Sequence, residues 1–441
     1  MARAFFFIFF IIQTMHIKFY TLICSAALLA ACATYTPDPV DFDRDGTEWF
    51  MVSTRLCPPN SSISRGSMRS IGLLLNPALN KARLSYAAET EASRFAGLWE
   101  DPSLSVEGVR VLRENFNNNS IGPSLSIPVT GLPSLAKKVA EQYNEADYWS
   151  MRAQERAFLT DLEVLRYNIL VIHDKLSLIR ARLNQVKVEK KDIDRLYKLG
   201  EVELSDYQAS CQRFNDTMKE CQELENEHLA KRHELIAQMG LHPAVGSIEL
   251  EGKLPGGVPS LVRPPSVAQL LESPELHSML AAYGASETEL RTEIRKQYPE
   301  LSIGPSLTRE EGNNKIGIGL EMNLPIWNRN RMGIAKASGA RDLKHHDTIA
   351  LWRKLQQDVS ALNARQKLAA EHCRTEMERM LALQETGKQQ EELYKLGETS
   401  LPALADARHE IFQRRMSYLD CLGTLLEIQT KLQYINPYYQ P

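Results

Sequence analysis

The sequence lacks three features that would each indicate a common class of protein. It has no excess of one charge, because 52 basic and 55 acidic residues are mixed along the chain, and nothing therefore points to a nucleic-acid partner. It has no long apolar run beyond the N-terminus, which excludes a polytopic helical membrane protein. If the chain spans a membrane, it must use strands.

Metal-binding and catalytic motifs are also missing. Apart from Cys24 and Cys32 near the N-terminus, the cysteines are scattered without any CxxC pair, at Cys57, Cys211, Cys221, Cys373 and Cys421. Three of these, Cys211, Cys221 and Cys373, fall on apolar helical stripes and are expected to be small core residues. A disulfide in an oxidising compartment stays open. The ten histidines are dispersed, so we expect no metal site, no cofactor and no enzymatic activity.

The N-terminus has the pattern of a secretion signal over residues 1–31, with Met15 as an alternative start. The signal closes with Leu29-Ala30-Ala31-Cys32, which resembles a bacterial lipobox and makes Cys32 the expected lipidation site. The next residue is Ala33 and not an aspartate, which resembles an outer-membrane address. A plain cleaved signal with a chance cysteine and a transmembrane anchor are the alternatives. Residues 32–75 are predicted to form a lipid-anchored tether.

Most of the remaining chain is predicted to be two copies of one unit, displaced by a single offset. Asn76-Pro77 recurs as Ser273-Pro274 (273 − 76 = 197), and Leu196–Glu201 recurs as Leu393–Glu398 (393 − 196 = 197). We predict repeat 1 over residues 76–240, an extended connector rich in proline and glycine over 241–272, and repeat 2 over 273–441.

Each unit is predicted to begin with a helix and to continue with two strands. The helices span about 77–99 and 274–297, each after a capping residue and a proline. In repeat 2, apolar residues alternate with polar or small ones over 301–308 and 315–324, with a polar turn at 310–314. Repeat 1 has a weaker pair at 104–113 and 121–128, joined at 115–120. Such segments fit bilayer-spanning strands, although a soluble hairpin shows the same alternation.

A very long helix follows in each unit. The first carries an unbroken heptad seam of Phe158, Leu162, Leu165, Ile169, Ile172, Leu176, Ile179, Leu183 and Val186. In the second, the matching seam is weakened by Gln366 and Glu376. A helix from Ser134 to Lys198 would extend on the order of 100 Å, too far to be buried in a globule of this size. A returning helix should pack antiparallel on the first, with a seam of Leu204, Tyr207, Cys211, Phe214, Met218 and Cys221.

Four strands cannot stand alone in a bilayer, because both sheet edges would expose unpaired amides to hydrocarbon. The predicted fold is therefore mainly α with β. It consists of two tandem repeats with long antiparallel coiled-coil hairpins that form an α-barrel, and of four strands per chain in a trimeric, twelve-stranded transmembrane β-barrel.

The order of these elements resembles the TolC-like outer-membrane efflux family, lipoprotein subtype, over nearly the whole mature chain. Asn323–Arg331 is similar to the family's junction between strand and helix, and Tyr394–Leu401 is similar to its periplasmic tip. The resemblance implies a homotrimeric duct in the outer membrane that extends into the periplasm. It also implies a periplasmic adaptor and an inner-membrane pump of the RND type as partners.

The resemblance also implies the functional residues. The tips that dock the adaptor would be formed by Tyr197, Gly200, Leu204, Ser205, Tyr394, Gly397, Ser400 and Leu401. Asp406, and Asp206 in repeat 1, match the acidic residues that constrict the closed pore, while Ala403 stands where the family often has another acidic residue. The same residues could instead only cap helices or lie on the surface.

Two other functions stay open at this point. The chain could be a periplasmic structural lipoprotein with soluble hairpins and no pore, or the duct of a type I protein exporter. The exported substrate, drug or metal ion, does not follow from the sequence.

Overall fold

A computed structural model describes residues 35–111, 116–246, 248–310, 313–322 and 324–436 of the chain. The predicted signal, Cys32 and Asn323 lie outside these residues. The chain forms two units, residues 1–51 and 52–441. Helix α1 (Phe42–Leu56) begins in the first unit and ends in the second, and Asp41 caps it by accepting hydrogen bonds from the backbone N–H groups of Asp43 and Arg44.

The second unit is mainly helical, with one larger and one smaller sheet. In chain order its elements are β1 (Ser62–Ile63), α2 (Arg65–Leu75), α3 (Pro77–Arg94), β2 (Ser103–Val111), β3 (Phe116–Ile127), α4 (Leu132–Leu199), α5 (Leu204–Met239), β4 (Glu249–Leu250), α6 (Val267–Leu271), α7 (Pro274–Arg295), β5 (Leu301–Glu310), β6 (Asn313–Met322), α8 (Arg331–Lys395) and α9 (Leu401–Ile435). The predicted long helices are present, and α4 has 68 residues.

The larger sheet is antiparallel in the order β2-β3-β5-β6. The predicted turn at 115–120 is wrong, because β3 begins at Phe116 and Asn117–Asn119 pair with β2. The turn predicted at 310–314 is also too long, since Glu310 pairs with Asn313. Asparagine has low strand propensity, and the hydrogen-bonded ladder outweighs that preference here. The helices α3 and α7 end at Arg94 and Arg295, earlier than predicted.

The helices pack as neighbouring antiparallel hairpins. Helix α4 packs on α5, and α8 packs on α9, while α9 also packs along α4. Nearer the sheet, α3 packs on α4, α4 on α7, and α7 on α8, which makes a layer in that order. The predicted seam of α4 is buried in these contacts, with Leu162 and Ile179 fully covered and Leu183 only partly.

The two polar residues in the α8 seam have specific partners. Gln366 is buried, and its amide accepts from the Val262 N–H at 3.0 Å and donates to the Val262 carbonyl at 2.8 Å. Glu376 is buried and pairs with Arg379 at 2.9 Å. Gln366 therefore holds the extended connector against α8, where the sequence pattern alone indicates only a weak seam.

The predicted seam of the returning helix α5 is partly wrong. Leu204 and Met218 are exposed, and the α5 positions that are buried towards its start include Ser210, Thr217 and Cys221. The seam prediction did not include small polar side chains. Thr217 can be buried because its hydroxyl donates a hydrogen bond to the Arg213 carbonyl. Of the three predicted core cysteines, Cys221 and Cys373 are buried, whereas Cys211 is only half-buried.

All five cysteines in the described residues are free thiols. Among those same residues, no helix combines the length and the hydropathy that crossing a membrane requires.

Candidate functional site

The larger sheet has one apolar face. Directly opposite residues of an antiparallel sheet share a face, so the register places Ile121, Leu307 and Ile316 side by side, one from each of β3, β5 and β6. Val106 of β2 lies opposite Ile121 and joins them. The side chains of this face are exposed, up to 82% for Ile316. A continuous exposed apolar surface of this kind requires an apolar environment or a partner.

The opposite face is lined by small and polar residues. Ser103 and Ser124 share a hydrogen bond of 2.7 Å, and Ser126 and Ser302 share one of 3.2 Å. Thr308 lies opposite Lys315 on the same face. These hydroxyl groups pair with each other across strands and are suited to contact with water. The sheet therefore separates an apolar side from a hydrophilic side.

Both outer strands of the sheet, β2 and β6, have a free edge. Within the part of the chain that the structure describes, β2 pairs only with β3 and β6 only with β5. Each outer strand therefore presents a row of N–H and C=O groups on its free edge. Such edges can pair with further strands.

The first predicted tip is the turn between α4 and α5. Gly200 has φ 78° and its N–H donates to the Tyr197 carbonyl, while the Glu201 N–H donates to the Leu196 carbonyl. This is the Schellman arrangement, which needs a residue in the left-handed region at the glycine. Tyr197 stacks on Tyr207 of the returning helix, with ring centroids 4.7 Å apart. Leu204 and Ser205 begin α5 and are exposed.

The second predicted tip repeats this geometry between α8 and α9. Gly397 also has φ 78°, and the N–H groups of Gly397 and Glu398 donate to the Tyr394 and Leu393 carbonyls. Ser400 caps α9 by accepting from the Ala403 N–H at 3.4 Å. Leu401 differs from its counterpart Leu204 because it is buried.

The predicted pore residue Asp406 forms an ion pair. Its carboxylate accepts from the guanidinium of Arg213 on α5, while most of the Asp406 side chain stays exposed. Asp206 lies in the first turn of α5, where the helix dipole favours a negative charge. The structure pairs Asp406 with Arg213, a cation that the sequence reasoning missed, and not with Asp206 within the described residues.

A cluster of charged residues with a buried centre and an exposed side, which we call the tip cluster, lies next to Asp406 in the chain's fold. It comprises Arg182 and Glu189 of α4, Arg408 of α9 and Glu391 of α8. Arg182 and Arg408 both contact Glu189 at 3.2 Å, and Arg408 contacts Glu391 at 2.9 Å. Arg182 also donates to the Ala405 carbonyl at 3.3 Å. The cluster therefore joins both helical hairpins, and both tip turns lie at this end.

Burial lowers the pKa of two cationic groups around the tip cluster. Burial lowers the pKa of Arg182, and Glu189 opposes this effect. Burial also lowers the pKa of His409, and the charges of Arg182 and Arg213 lower it further. The imidazole of His409 is thus disfavoured as a cation beside two arginines.

Among the comparisons with known proteins, the one with solved structures identifies the fold. No protein-family model matches this sequence, and no curated protein sequence is similar to it. The outer-membrane protein VceC of Vibrio cholerae superimposes with a TM-score of 0.72 at 12% identity, over 85% of this chain and 97% of that one. The outer-membrane channel CmeC of Campylobacter jejuni gives 0.67 at 12% identity, over 92% and 89%. The MtrE channel of Neisseria gonorrhoeae, in its open state, gives 0.68 at 15% identity, over 84% and 88%.

The chain has the fold of the TolC-like outer-membrane factors. Of these three neighbours, MtrE and CmeC are described as outer-membrane channels and VceC as an outer-membrane protein.

The sequence reasoning missed the partners of the acidic residues. Arg182, Glu189 and Arg213 lie at polar positions of long helices, where a charged residue usually faces solvent. A signal was present for Arg182, because it lies three residues after Ile179 and four before Val186, which is also seam spacing, and it is buried where the predicted seam residue Leu183 is only partly covered. Its partner Glu189 on the same helix lies seven residues later, which is two turns and therefore on the same face.

Proposed function

We propose that this protein is the outer-membrane exit duct of a tripartite efflux system, through which substrates leave without chemical change. The observation that carries this proposal is the four-stranded sheet with one exposed apolar face, one hydroxyl-lined face and two free edges. An apolar face can contact lipid while the polar face lines a water-filled passage.

The free edges support a homotrimer. An unpaired amide in hydrocarbon costs several kcal/mol, so a sheet in the bilayer must close. Three copies would contribute twelve strands, enough to enclose a lumen instead of a packed core. The long hairpins of the three copies would form an α-barrel below the membrane. The two halves of each chain, residues 76–240 and 273–441, would then act as tandem repeats around this barrel.

The N-terminus supports attachment to the outer membrane. Cleavage after residue 31 would leave Cys32 as the lipidated first residue, and residues 32–75 would run from the lipid to the body of the protein. Residues 52–75 fit this role because β1 pairs with β4 of the connector and Met68 is fully buried. A mature N-terminal peptide carrying acyl chains on Cys32, detected by mass spectrometry, would test this assignment.

The tips support docking to a periplasmic adaptor, and through it to an inner-membrane pump of the RND type. Tyr197, Leu204, Ser205 and Tyr394 are at least partly exposed beside the two glycine turns. Asp406 is proposed to line the closed end of the duct, with Asp206 nearby on the other hairpin. In this chain the Arg213 guanidinium offsets the Asp406 charge, which would weaken any cation preference of such a ring.

The decisive experiment is single-channel recording of the purified protein in planar bilayers, together with heat-modifiable migration of the trimer. Conductance steps from a trimer support the duct, whereas a monomer without conductance supports the structural lipoprotein. A duct that restores protein export in place of a type I exporter's own channel, and does not restore drug efflux, would assign it to secretion.

A matched pair of variants tests the orientation of the sheet. Ile318→Lys places a charge on the apolar face of β6, which should cost about 2–4 kcal/mol at mid-membrane and reduce trimer yield. Ser306→Lys places the same charge on the hydroxyl-lined face of β5, opposite Gly317, and should leave the trimer intact. Equal loss from both variants would contradict the proposed lipid-facing side.

A further inference from the structure

A cavity of about 670 Å³ lies where the strands meet the helices. Its walls come from both halves of the chain, including Leu98, Trp99 and Ile127 from the first half and Tyr298 and Leu324 from the second. Four of these are more than half exposed, namely Leu98, Trp99, Tyr298 and Leu324. An open, mainly apolar cavity with two aromatic residues therefore has no covering segment among the described residues.

This cavity continues the apolar face of the sheet. Ile127 lies opposite Leu301, and Leu301 lies opposite Met322, so all three are on the face that carries Ile121 and Ile316. Ile127 is the last residue of β3 and also lines the cavity. The cavity therefore adjoins the apolar face of the sheet at Ile127, and it also touches the hydroxyl-lined face at Ser126.

The charged residues around the cavity select among such molecules. Lys296 lines the cavity and forms an ion pair of 2.6 Å with Glu293. Glu100 and Glu300 also line it, so the rim carries more negative than positive charge. Tryptophan and tyrosine are the side chains that favour the membrane–water interface. Such a rim favours an ammonium group and repels a molecule with net negative charge.

We propose that this cavity binds an acyl chain of a zwitterionic, amine-bearing phospholipid of the phosphatidylethanolamine type. The acyl chain lies against Trp99, Tyr298 and Leu324, the ammonium group meets Glu100 and Glu300, and the phosphate lies near Lys296. This site rests on the proposed function, because a phospholipid reaches the cavity only if the sheet spans a bilayer. The bound lipid seals the junction between strands and helices.

The test uses tryptophan fluorescence of the full-length trimer in lipid nanodiscs. The chain has five tryptophans, Trp49, Trp99, Trp149, Trp327 and Trp352. Changing four of them to phenylalanine leaves Trp99 as the only reporter. Brominated phosphatidylethanolamine or brominated phosphatidylglycerol is then titrated against unbrominated lipid, because bromine on the acyl chain quenches a tryptophan that it contacts.

We expect half-maximal quenching of Trp99 at an about fivefold lower fraction of phosphatidylethanolamine than of phosphatidylglycerol, which corresponds to about 1 kcal/mol. A protein with Trp327 as the only reporter is the matched control, since Trp327 is 92% exposed and does not line the cavity. Both lipids should quench Trp327 equally. Glu100→Gln with Glu300→Gln should abolish the preference at Trp99.

Filling the cavity provides a second measurement. Ala136 lines it, and Ala136→Leu should reduce the quenching of Trp99 by either lipid. Ala340→Leu is the matched control, because Ala340 is also an exposed helical alanine but lines a different cavity. Equal quenching in both variants would show that the acyl chain does not enter.

Two outcomes overturn the proposal, and a reporter in the strands separates them from failure of the proposed function. Quenching of Trp99 without preference, equal to that of Trp327, means annular lipid only. No quenching of Trp99 means that a second copy of this chain covers the cavity. In either case a tryptophan at Ile318→Trp, in a background without other tryptophans, is still quenched if the sheet spans the bilayer, and is not quenched if it does not.

Discussion

The tip cluster gives the sharpest energetic prediction. Arg182 and Glu189 are almost fully buried, with side-chain exposures of 3% and 4%, and they contact each other at 3.2 Å. Replacing Arg182 with methionine leaves the Glu189 carboxylate buried with Arg408 as its remaining cationic partner. It also removes the hydrogen bond to the Ala405 carbonyl, which ties α4 to α9.

Removing one partner of a buried ion pair costs about 3–5 kcal/mol, because an uncompensated charge stays in the interior. Arg408 keeps its contact with Glu189 and is 26% exposed, so the cost should fall near the lower end, at about 3 kcal/mol. The double variant Arg182→Met with Glu189→Leu removes both charges and should cost about 1 kcal/mol or less. The control Arg180→Met breaks an exposed pair with Glu225 and should also cost below about 1 kcal/mol.

The assay is native-state hydrogen exchange of the amides in α9 between residues 404 and 412, which reports local opening without complete unfolding. An opening free energy lower by about 3 kcal/mol corresponds to exchange roughly 150-fold faster in the single variant. The double variant and the Arg180 control should exchange less than about tenfold faster. If the α9 amides exchange no faster in the single variant than in the double variant, the unpaired charge of Glu189 does not account for the stabilisation by Arg182.

Three further predictions concern the tips and the connector. Gly200→Ala should destabilise the end of α4 by about 1–2 kcal/mol, because φ is 78° there, and should increase exchange of the last α4 amides. Burial and the neighbouring arginines lower the pKa of His409 below its ordinary 6.5. The neutral imidazole therefore contributes its full stability to α9 above about pH 6.5, and this contribution is lost as the pH falls through the lowered pKa. His409→Gln should remove this pH dependence, measured by hydrogen exchange between about pH 7 and 5. Gln366→Leu should cost about 1–3 kcal/mol by leaving the Val262 N–H and carbonyl without partners, and should expose the connector to limited proteolysis.

Each of these has a control at an exposed position of helix α8. Gly339→Ala lies inside α8 with open space around the added methyl group and should stabilise slightly. His346→Gln changes an exposed histidine and should leave the acid sensitivity of α9 unchanged. Gln357→Leu alters an exposed glutamine of α8 and should not affect proteolysis of the connector. Equal effects in a variant and its control would contradict the corresponding reasoning.

The sequence by itself determined the element types and much of their order. A period of two over residues 315–322 and a heptad seam from Phe158 to Val186 are local patterns, and local patterns survive in any tertiary arrangement. The glycine turns at Gly200 and Gly397 were equally readable, because a left-handed residue that ends a helix is a property of a few consecutive residues.

Only the tertiary structure decided which polar residues are buried together. The side chains of Arg213 and Asp406 come from different hairpins, 193 residues apart along the chain, and no periodicity within either helix indicates that they meet. For the same reason the sequence pattern indicated only a weakened seam at Gln366, although its side chain binds Val262 of the connector. Apolar burial follows from composition because it needs no particular partner, whereas a buried charge or amide is stabilised only by specific atoms that the fold brings to it.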